Sequence, residues 1–226
     1  AAVRTLEKMG VLSASFEKTY RRPVRATCEK APDIVLSPAQ HEVLQKLLRQ
    51  QDVEQPGAVL LHGVTGSGKT LVYIELIRET LKKGKNAILL VPEIALTPQM
   101  LRLFTLHFGD NVAVMHSALT AAQRIDEYKR VRAGQAHVVV GTRSAVFAPL
   151  HNIGVIIIDE EQEPTYSSEN APRYHASEIA RYRCFKEGRL VVLGSATPKV
   201  ITTPCRVGTL CYLCRSGITR CRFPEP

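Results

Sequence analysis

The sequence lacks any long hydrophobic run. None approaches the ~18 apolar residues of a membrane span, and the longest, around Val155–Ile158, is the length of one strand. A helical transmembrane protein is thereby excluded. Cysteine is scarce through residues 1–200, where only Cys28 and Cys184 occur, far apart. That excludes a disulfide scaffold and fits a reduced, cytoplasmic protein. No internal repeat and no signal peptide are visible. The chain starts Ala-Ala rather than Met, which reads as a fragment, so the missing leader says little. Compositional disorder is excluded as well, because 45% hydrophobic and 23% charged residues are ordinary for a globular chain. At 226 residues the chain suits one good-sized domain plus extras. It is too short for two nucleotide-motor lobes of roughly 150–200 residues each with accessory domains.

The net charge of +9 suggests nucleic acid or an acidic membrane surface. Its distribution weakens the suggestion. Residues 1–36 carry +3, residues 201–226 carry +3, and the long middle from 37 to 200 carries only +3. Most of the excess lies in the flanks.

Residues 1–36 are basic and broken by Gly10, Pro23 and Pro32. Ala1–Met9 has a helical pattern, Val11–Tyr20 suits a strand or hairpin, and the rest reads as linker. From residue 37 the pattern becomes regular. Ser37 is an N-cap candidate with Pro38 at the first helical position, and the spacing predicts a helix over Ser37–Gln50. Strands are expected at Ala58–Leu61, Ala87–Val91, Val112–Met115, His137–Val140, Val155–Ile158 and Leu190–Leu193. Helices are expected between them at Thr70–Lys82, Pro98–Phe108, Thr120–Arg132 and His175–Lys186. Unbroken apolar runs such as Val155–Ile158 suit strands buried on both faces. Strands alternating with amphipathic helices predict an α/β fold with a mostly parallel, doubly wound sheet.

The sequence Gly63-Val64-Thr65-Gly66-Ser67-Gly68-Lys69-Thr70 fits G-x-x-x-x-G-K-[ST] and sits between an expected strand and an expected helix. Glycines let backbone N–H groups curl round an anion, and the helix N-terminus adds its dipole. Lys69 then reaches the β- and γ-phosphates, and the Thr70 hydroxyl ligates Mg²⁺. The plain alternative, a glycine-rich turn with an exposed lysine, does not explain the flanking elements. Such a site needs an acid for Mg²⁺ at the end of a buried strand. Asp159 follows Ile156-Ile157-Ile158 and would hold the ion through water, while Glu160 would polarise the attacking water as general base. The bland reading is a solvated acidic cluster from Asp159 to Glu163. Glu161 needs no role and reads as solvated.

A P-loop alone fits kinases, GTPases, transporters and motors. Three further segments follow expected strands: Val91 to Gln99, Gly141 to Ala145, and Gly194 to Pro198. All lie beyond carboxyl ends of strands, where open α/β sheets bind ligands. Together with the P-loop and the Asp-Glu box, the Ser195-Ala196-Thr197 segment resembles the first RecA-like lobe of a superfamily 2 helicase. Closer features are Pro92-Glu93-Ile94-Ala95-Leu96-Thr97-Pro98-Gln99, His116-Ser117, Gly141 to Leu150, Asp159-Glu160-Glu161 and Arg173-Tyr174-His175-Ala176. These resemble the PriA family of bacterial primosomal replication-restart DNA helicases. The resemblance covers roughly Ser37 to Pro198.

The resemblance implies ATP and Mg²⁺ as cofactors and roles for further residues. Gln40 matches a glutamine that reads adenine, against the plain alternative of a surface helix glutamine. Thr97, Gln99, Thr142 and Arg143 match motifs that contact the single-strand backbone; an ion pair with a nearby acid is the alternative for Arg143. Ser195 and Thr197 match a motif coupling nucleotide state to strand movement, against ordinary turn hydroxyls. Tyr166 and Tyr174 fall in a segment like the family's aromatic-rich loop and could stack on bases, or else cap the core edge. Gln162 stands where the family has His; it can still donate and accept, and so link nucleotide to DNA.

The resemblance stops near Lys199. Beyond it, Cys205, Cys211, Cys214 and Cys221 lie in a stretch with four Arg and no Ala, Lys or Asp. One C-x2-C pair makes a tetrahedral zinc site conceivable. The abrupt change of composition reads instead as a truncated or frameshifted end. The resemblance implies zinc for the full-length family but not for this chain.

Three segments are therefore expected: residues 1–36 as the end of an upstream winged-helix region and linker, 37–200 as the helicase ATP-binding lobe, and 201–226 unassigned. The implied activity is 3′-to-5′ DNA unwinding in replication restart. Single-stranded or forked DNA, primosome proteins and single-strand-binding proteins would be partners, in a cytoplasmic, nucleoid-associated setting. The lobe alone should turn ATP over weakly, for want of a second-lobe arginine. The competing reading is a nucleotide-binding module without turnover that acts through a partner. A P-loop kinase or transporter would leave Glu93 to Gln99 unexplained.

Overall fold

The computed structural model describes residues 31–54, 57–197 and 209–213, with a few isolated positions before residue 24 (6, 9–11, 13 and 20–23). The expectations for a helix over Ala1–Met9, a strand over Val11–Tyr20 and a cysteine site beyond residue 200 fall outside the residues whose side chains are described.

The first helix whose bounds are described, α1, spans Pro38–Gln51 and starts as its sequence demands. The Ser37 hydroxyl accepts from the Gln40 amide, and the Gln40 side chain accepts from the Ser37 N–H, which closes a capping box. The chain then alternates: β1 (Ala58–Gly63), α2 (Lys69–Lys82), β2 (Asn86–Leu90), α3 (Pro98–Phe108), β3 (Val112–Met115), α4 (Ala121–Arg132), β4 (Val138–Gly141), β5 (Ile153–Ile158), α5 (Ala176–Glu187), β6 (Leu190–Ser195) and β7 (Thr209–Leu213). The strand order is β3-β4-β2-β5-β6-β1-β7, with every pairing parallel. Helices on both sides bury strands β3 to β6 completely. Two apolar clusters result, one on each face, with Leu61, Leu89 and Ile157 on one and Leu60, Ile88 and Ile158 on the other. That alternation follows from the pleat. It explains why these strands read as continuous apolar runs rather than alternating ones.

The sequence assigned no element past Pro198. The structure adds β7 there, paired with β1 from Val59 opposite Thr209 to Gly63 opposite Leu213. A second feature without a sequence signal is a set of single 3₁₀ turns at strand ends, at Glu93–Ala95, Arg143–Phe147 and Pro164–Tyr166. They are too short for periodicity to reveal.

The far edge of the sheet, β3, is closed by side chains. Glu127 accepts from the Val114 N–H at 3.0 Å, and Arg130 donates to the Asp110 and Val112 carbonyls. Glu127 and Arg130 pair with each other at 2.7 Å, both buried. This arrangement satisfies backbone groups that would otherwise recruit another strand. Removing one partner of a buried pair strands the other charge. Arg130→Met is expected to cost about 3–5 kcal/mol in urea unfolding. The double change Glu127→Gln with Arg130→Met should cost clearly less.

Candidate functional site

Strand order sorts the loops into two groups. At the carboxyl edge, β6 lies between β1 and β5. Ser195 at the end of β6 therefore sits between the P-loop, which leaves β1, and the acid box, which leaves β5. On the other side of β5, the loops after β2, β4 and β3 are neighbours. The first group holds the residues expected to handle phosphate. The second holds Thr97, Gln99, Thr142 and Arg143.

The P-loop leaves β1 at Gly63 and enters α2 at Lys69. Gly66 and Gly68 take left-handed backbone (φ 76° and 82°), which residues with a Cβ disfavour. A Cβ on Gly68 would also strike the Gln40 side chain, at 2.2 Å from Nε2. That contact reflects a brace: Gln40 Nε2 donates to the Ser67 carbonyl at 2.9 Å, so α1 supports the loop from outside. Gln40 is thus neither a free surface glutamine nor wholly available to a ligand. Thr70 sits half-buried in the first turn of α2. The Ser67 hydroxyl is buried with no partner. An orphaned donor inside a loop of this shape fits a bound anion.

Lys69 is buried, donating from Nζ to the Gly63 carbonyl at 2.8 Å, and it pairs with Glu160 at 3.4 Å. Glu160 adopts a left-handed backbone (φ 45°), uncommon outside glycine. From there a chain of hydrogen bonds runs across β6. Gln162 Nε2 donates to Glu160 Oε2 at 2.7 Å, and the Ser195 hydroxyl donates to Gln162 Oε1 at 2.6 Å. The Thr197 N–H then donates to Ser195 Oγ at 3.0 Å. Lys69, Glu160, Gln162, Ser195 and Thr197 form one connected unit. The amide at Gln162 serves because it donates at one end and accepts at the other.

Asp159 is held by two tyrosines. The fully buried Tyr73 donates from its hydroxyl to Asp159 Oδ1 at 2.9 Å. The Tyr166 hydroxyl donates to the Asp159 carbonyl at 2.6 Å. Burial pushes the Asp159 carboxyl above its ordinary value; the Tyr73 hydrogen bond opposes this, Glu160 adds to it and Lys69 opposes it. Both tyrosines are raised, mainly by burial and then by the Asp159 charge, so they remain proton donors. Gly194 makes room, since a Cβ there would lie 1.8 Å from the Tyr73 hydroxyl. No motif in the sequence marks Tyr73. Its signal was its place four residues after Lys69, one turn along the same helix face.

Three expectations need correction. Tyr166 is 1% exposed with its hydroxyl committed to Asp159, so it braces the acid box rather than stacking on a base. Thr142 is 3% exposed, since the strand end that carries it is packed under its neighbours, with its N–H on the Met115 carbonyl. It is no open backbone contact. Glu161 is 4% exposed, not solvated, because its N–H donates to the Gly194 carbonyl and draws the loop onto β6.

Of the other positions, Thr97 and Gln99 lie at the surface of the second group, while Arg143 and Tyr174 are half-buried. Thr97 is exposed and caps α3, its hydroxyl accepting from the Met100 N–H. Gln99 is exposed in the first turn of that helix. Arg143 donates to the Ser167 carbonyl at 2.6 Å and the Thr165 carbonyl at 3.5 Å, binding the turn after β4 to the segment after the acid box. Tyr174 packs edge-to-face on Phe147, with ring centroids 5.0 Å apart.

Among the described residues no group of three or more His, Cys, Asp or Glu is placed to hold a metal. A Mg²⁺ ion at Thr70 and Asp159 would take its remaining ligands from water and phosphate, as Mg²⁺ commonly does. No helix among the described residues is long and apolar enough to cross a membrane.

A strand–P-loop–helix unit, an acid box two strands away and a hydroxyl relay between them define a RecA-like P-loop lobe. Residues 37–203 match the DEAD/DEAH box helicase model, and the chain belongs to that family. It is 46% identical over 199 residues to the replication restart protein PriA of Bacillus subtilis (strain 168), covering 88% of this chain and 25% of that protein. The PriA protein of Synechocystis sp. is 39% identical over 203 residues, covering 88% and 24%. The chain thus spans about a quarter of the length of these relatives. Among solved structures, RecG bound to a three-way DNA junction superposes with a TM-score of 0.59 at 25% identity, over 80% of this chain and 24% of that one. The Hef helicase domain of Pyrococcus furiosus shares the fold, with a TM-score of 0.57 at 18% identity over 79% and 38%.

The buried Asp159 has a stability consequence. Its folded-state pKa lies above the ordinary 3.8, so the native state binds the proton more tightly than the unfolded chain. Stability therefore falls as pH rises from 3.8 through the raised value, and above it the full cost of the buried charge persists. Asp159→Asn should raise the melting temperature at pH 7–8, with the gain shrinking as pH is lowered toward 4.

Proposed function

We propose that this chain is the ATP-binding lobe of an ATP-dependent 3′-to-5′ DNA helicase of replication restart, acting in primosome assembly. The observation that carries the reading is the relay from Lys69 through Glu160, Gln162 and Ser195 to Thr197. A device that only bound nucleotide would have no use for a path of polar contacts from the P-loop lysine, through the acid box two strands away, to the loop after the adjacent strand β6. The PriA relatives supply the context of replication restart, and with it forked or single-stranded DNA, primosome proteins and single-strand-binding proteins as partners, in a cytoplasmic, nucleoid-associated setting. The segment boundaries at residues 36 and 200 belong to the same proposal.

Mg²⁺, held near Thr70 and Asp159, would neutralise phosphate charge when bound with ATP. The rest falls to the chain. The P-loop amides and the Ser67 hydroxyl receive the phosphates, while Gln40 braces the loop and offers its remaining hydrogen-bonding capacity to adenine. Lys69 exchanges Glu160 for phosphate oxygens. Glu160, released at Oε1, accepts a proton from the attacking water while Gln162 holds Oε2 in place. A change at Glu160 then passes through Gln162 to Ser195 and Thr197. Thr97, Gln99 and Arg143 are offered to the strand backbone, with backbone-directed contacts that carry no sequence information. Transition-state charge calls for a further cation, an arginine from outside this lobe, so the chain alone should hydrolyse ATP slowly.

The test is ATP·Mg²⁺ titration of the chain, with and without single-stranded DNA. Lys69→Ala should weaken nucleotide binding by about tenfold or more. Gln162→Ala should leave nucleotide affinity within about twofold but abolish any mutual effect of ATP and DNA, since that effect is a coupling free energy. The second reading, a nucleotide-binding module serving a partner, predicts ATP binding that never responds to DNA.

A further inference from the structure

A second concavity lies away from the P-loop, at the carboxyl ends of β3 and β4. Its volume is about 370 Å³, near the lower end of the roughly 300–1,000 Å³ usual for small-ligand sites. That suits one nucleotide unit better than a length of strand. Two aromatic side chains line it from different elements: Tyr128 from α4, 46% exposed, and Phe147 from the turn after β4, 52% exposed. Large aromatic surface left open to water on two walls of one cavity is costly unless something covers it. Met115 and Ala148 supply further apolar lining.

The polar lining is mixed. Glu93 accepts from the Ser117 hydroxyl at 3.0 Å and keeps acceptor capacity for a ring N–H or an exocyclic amine. His116 accepts from the Ala118 N–H through Nδ1, which leaves Nε2 as donor in the neutral ring. Burial holds this imidazole below its usual range, against the pull of Glu93 and with help from Arg124. Two guanidiniums complete the lining. Arg124 donates to the Ser117 and Leu119 carbonyls, and Arg143 to the Ser167 and Thr165 carbonyls. Carbonyl partners position both groups without neutralising their charge, so they suit the phosphate of the same unit.

We propose that this cavity takes a single unstacked base of a DNA strand, seated between Tyr128 and Phe147, with Glu93 and His116 at its polar edge and Arg124 and Arg143 toward its phosphate. The proposal rests on the DNA reading given above and adds a base-binding component to contacts that would otherwise be to the backbone alone. Thr142 has a place in it: too buried for an open strand contact, it is part of the cavity wall. The pocket would hold one base in each advancing step of the strand and let it go in the next.

The test uses the 226-residue chain and fluorescence anisotropy with two labelled oligonucleotides of equal length, one intact and one with abasic sites throughout. Base–aromatic stacking predicts that the intact strand binds about tenfold or more tightly than the abasic one. Phe147→Ala and Tyr128→Ala should each remove most of that advantage while leaving the abasic affinity unchanged. Tyr182→Ala, which removes an exposed aromatic on α5 outside the cavity, should leave both affinities unchanged. Equal binding of the two strands, or an advantage untouched by the Tyr128 and Phe147 variants, overturns the base pocket while the DNA reading stands. That includes the case in which the cavity serves a protein side chain. Failure to bind either strand overturns the DNA reading and the pocket with it.

Discussion

One carboxylate sets the terms for the carboxyl edge of this sheet. Asp159 ends a strand buried on both faces and is itself half-buried, so its charge is only partly hydrated there. Tyr73 meets it from α2 and Tyr166 from the following loop. Gly194 on the adjacent strand leaves the space in which the Tyr73 hydroxyl lies. A side chain at 194 would displace the hydroxyl, a missing hydroxyl would strand the carboxylate, and a shifted carboxylate would move Glu160. The acid box is therefore positioned by residues on three elements, none of them a charged partner. The ion pair is made at the next residue, where Glu160 meets Lys69.

That division has a physical logic. A buried carboxylate neutralised by a nearby lysine would be more stable and less able to hold a cation. Here the lysine is paired with Glu160, whose left-handed backbone turns it back toward the P-loop. The Asp159 carboxylate keeps acceptor capacity beyond the oxygen that Tyr73 occupies. Its elevated proton affinity is the stability cost of that availability, a trade commonly found where buried groups serve function.

Most of the fold was legible because strands buried on both faces and amphipathic helices leave separate periodicities. Pro98–Phe108 and Val112–Met115 were read with the bounds they have. Thr120 was drawn into its helix, whereas it is the cap that precedes it. The edges were less legible. β7 comes from a stretch whose composition resembles none of the other strands, and its pairing with β1 depends on a neighbour far away in sequence. The phosphate site was legible because its motif is local. Burial around it was not. Thr142 and Glu161 have residue types that favour exposure, and each is drawn in by a backbone contact from a strand far away in sequence, while Tyr166 is tied to Asp159 by its hydroxyl. Tyr73 was missed for the same reason, since its partner lies 86 positions on.

Strand order turns these separate observations into a mechanism. With β6 between β1 and β5, the path from Lys69 to Thr197 needs only one ion pair and three hydrogen bonds: the Lys69 ammonium donates, the Glu160 carboxylate accepts, and the Gln162 amide does both between Glu160 and Ser195. With β2 between β5 and β4, the loops bearing Glu93, Thr97 and Arg143 lie on the opposite side of the acid box. Arg143 ties them back by holding the carbonyls of Thr165 and Ser167, the segment that also carries Tyr166 onto Asp159. The carbonyls held by Arg143 thus connect the acid-box segment to the second group of loops, while the hydrogen bonds through Ser195 connect it to the loop after β6. The same carboxyl edge therefore carries two sets of contacts that lead away from the acid box. The modest charge of the central segment is no obstacle, because positioned guanidiniums, rather than net basicity, are what a strand backbone would meet.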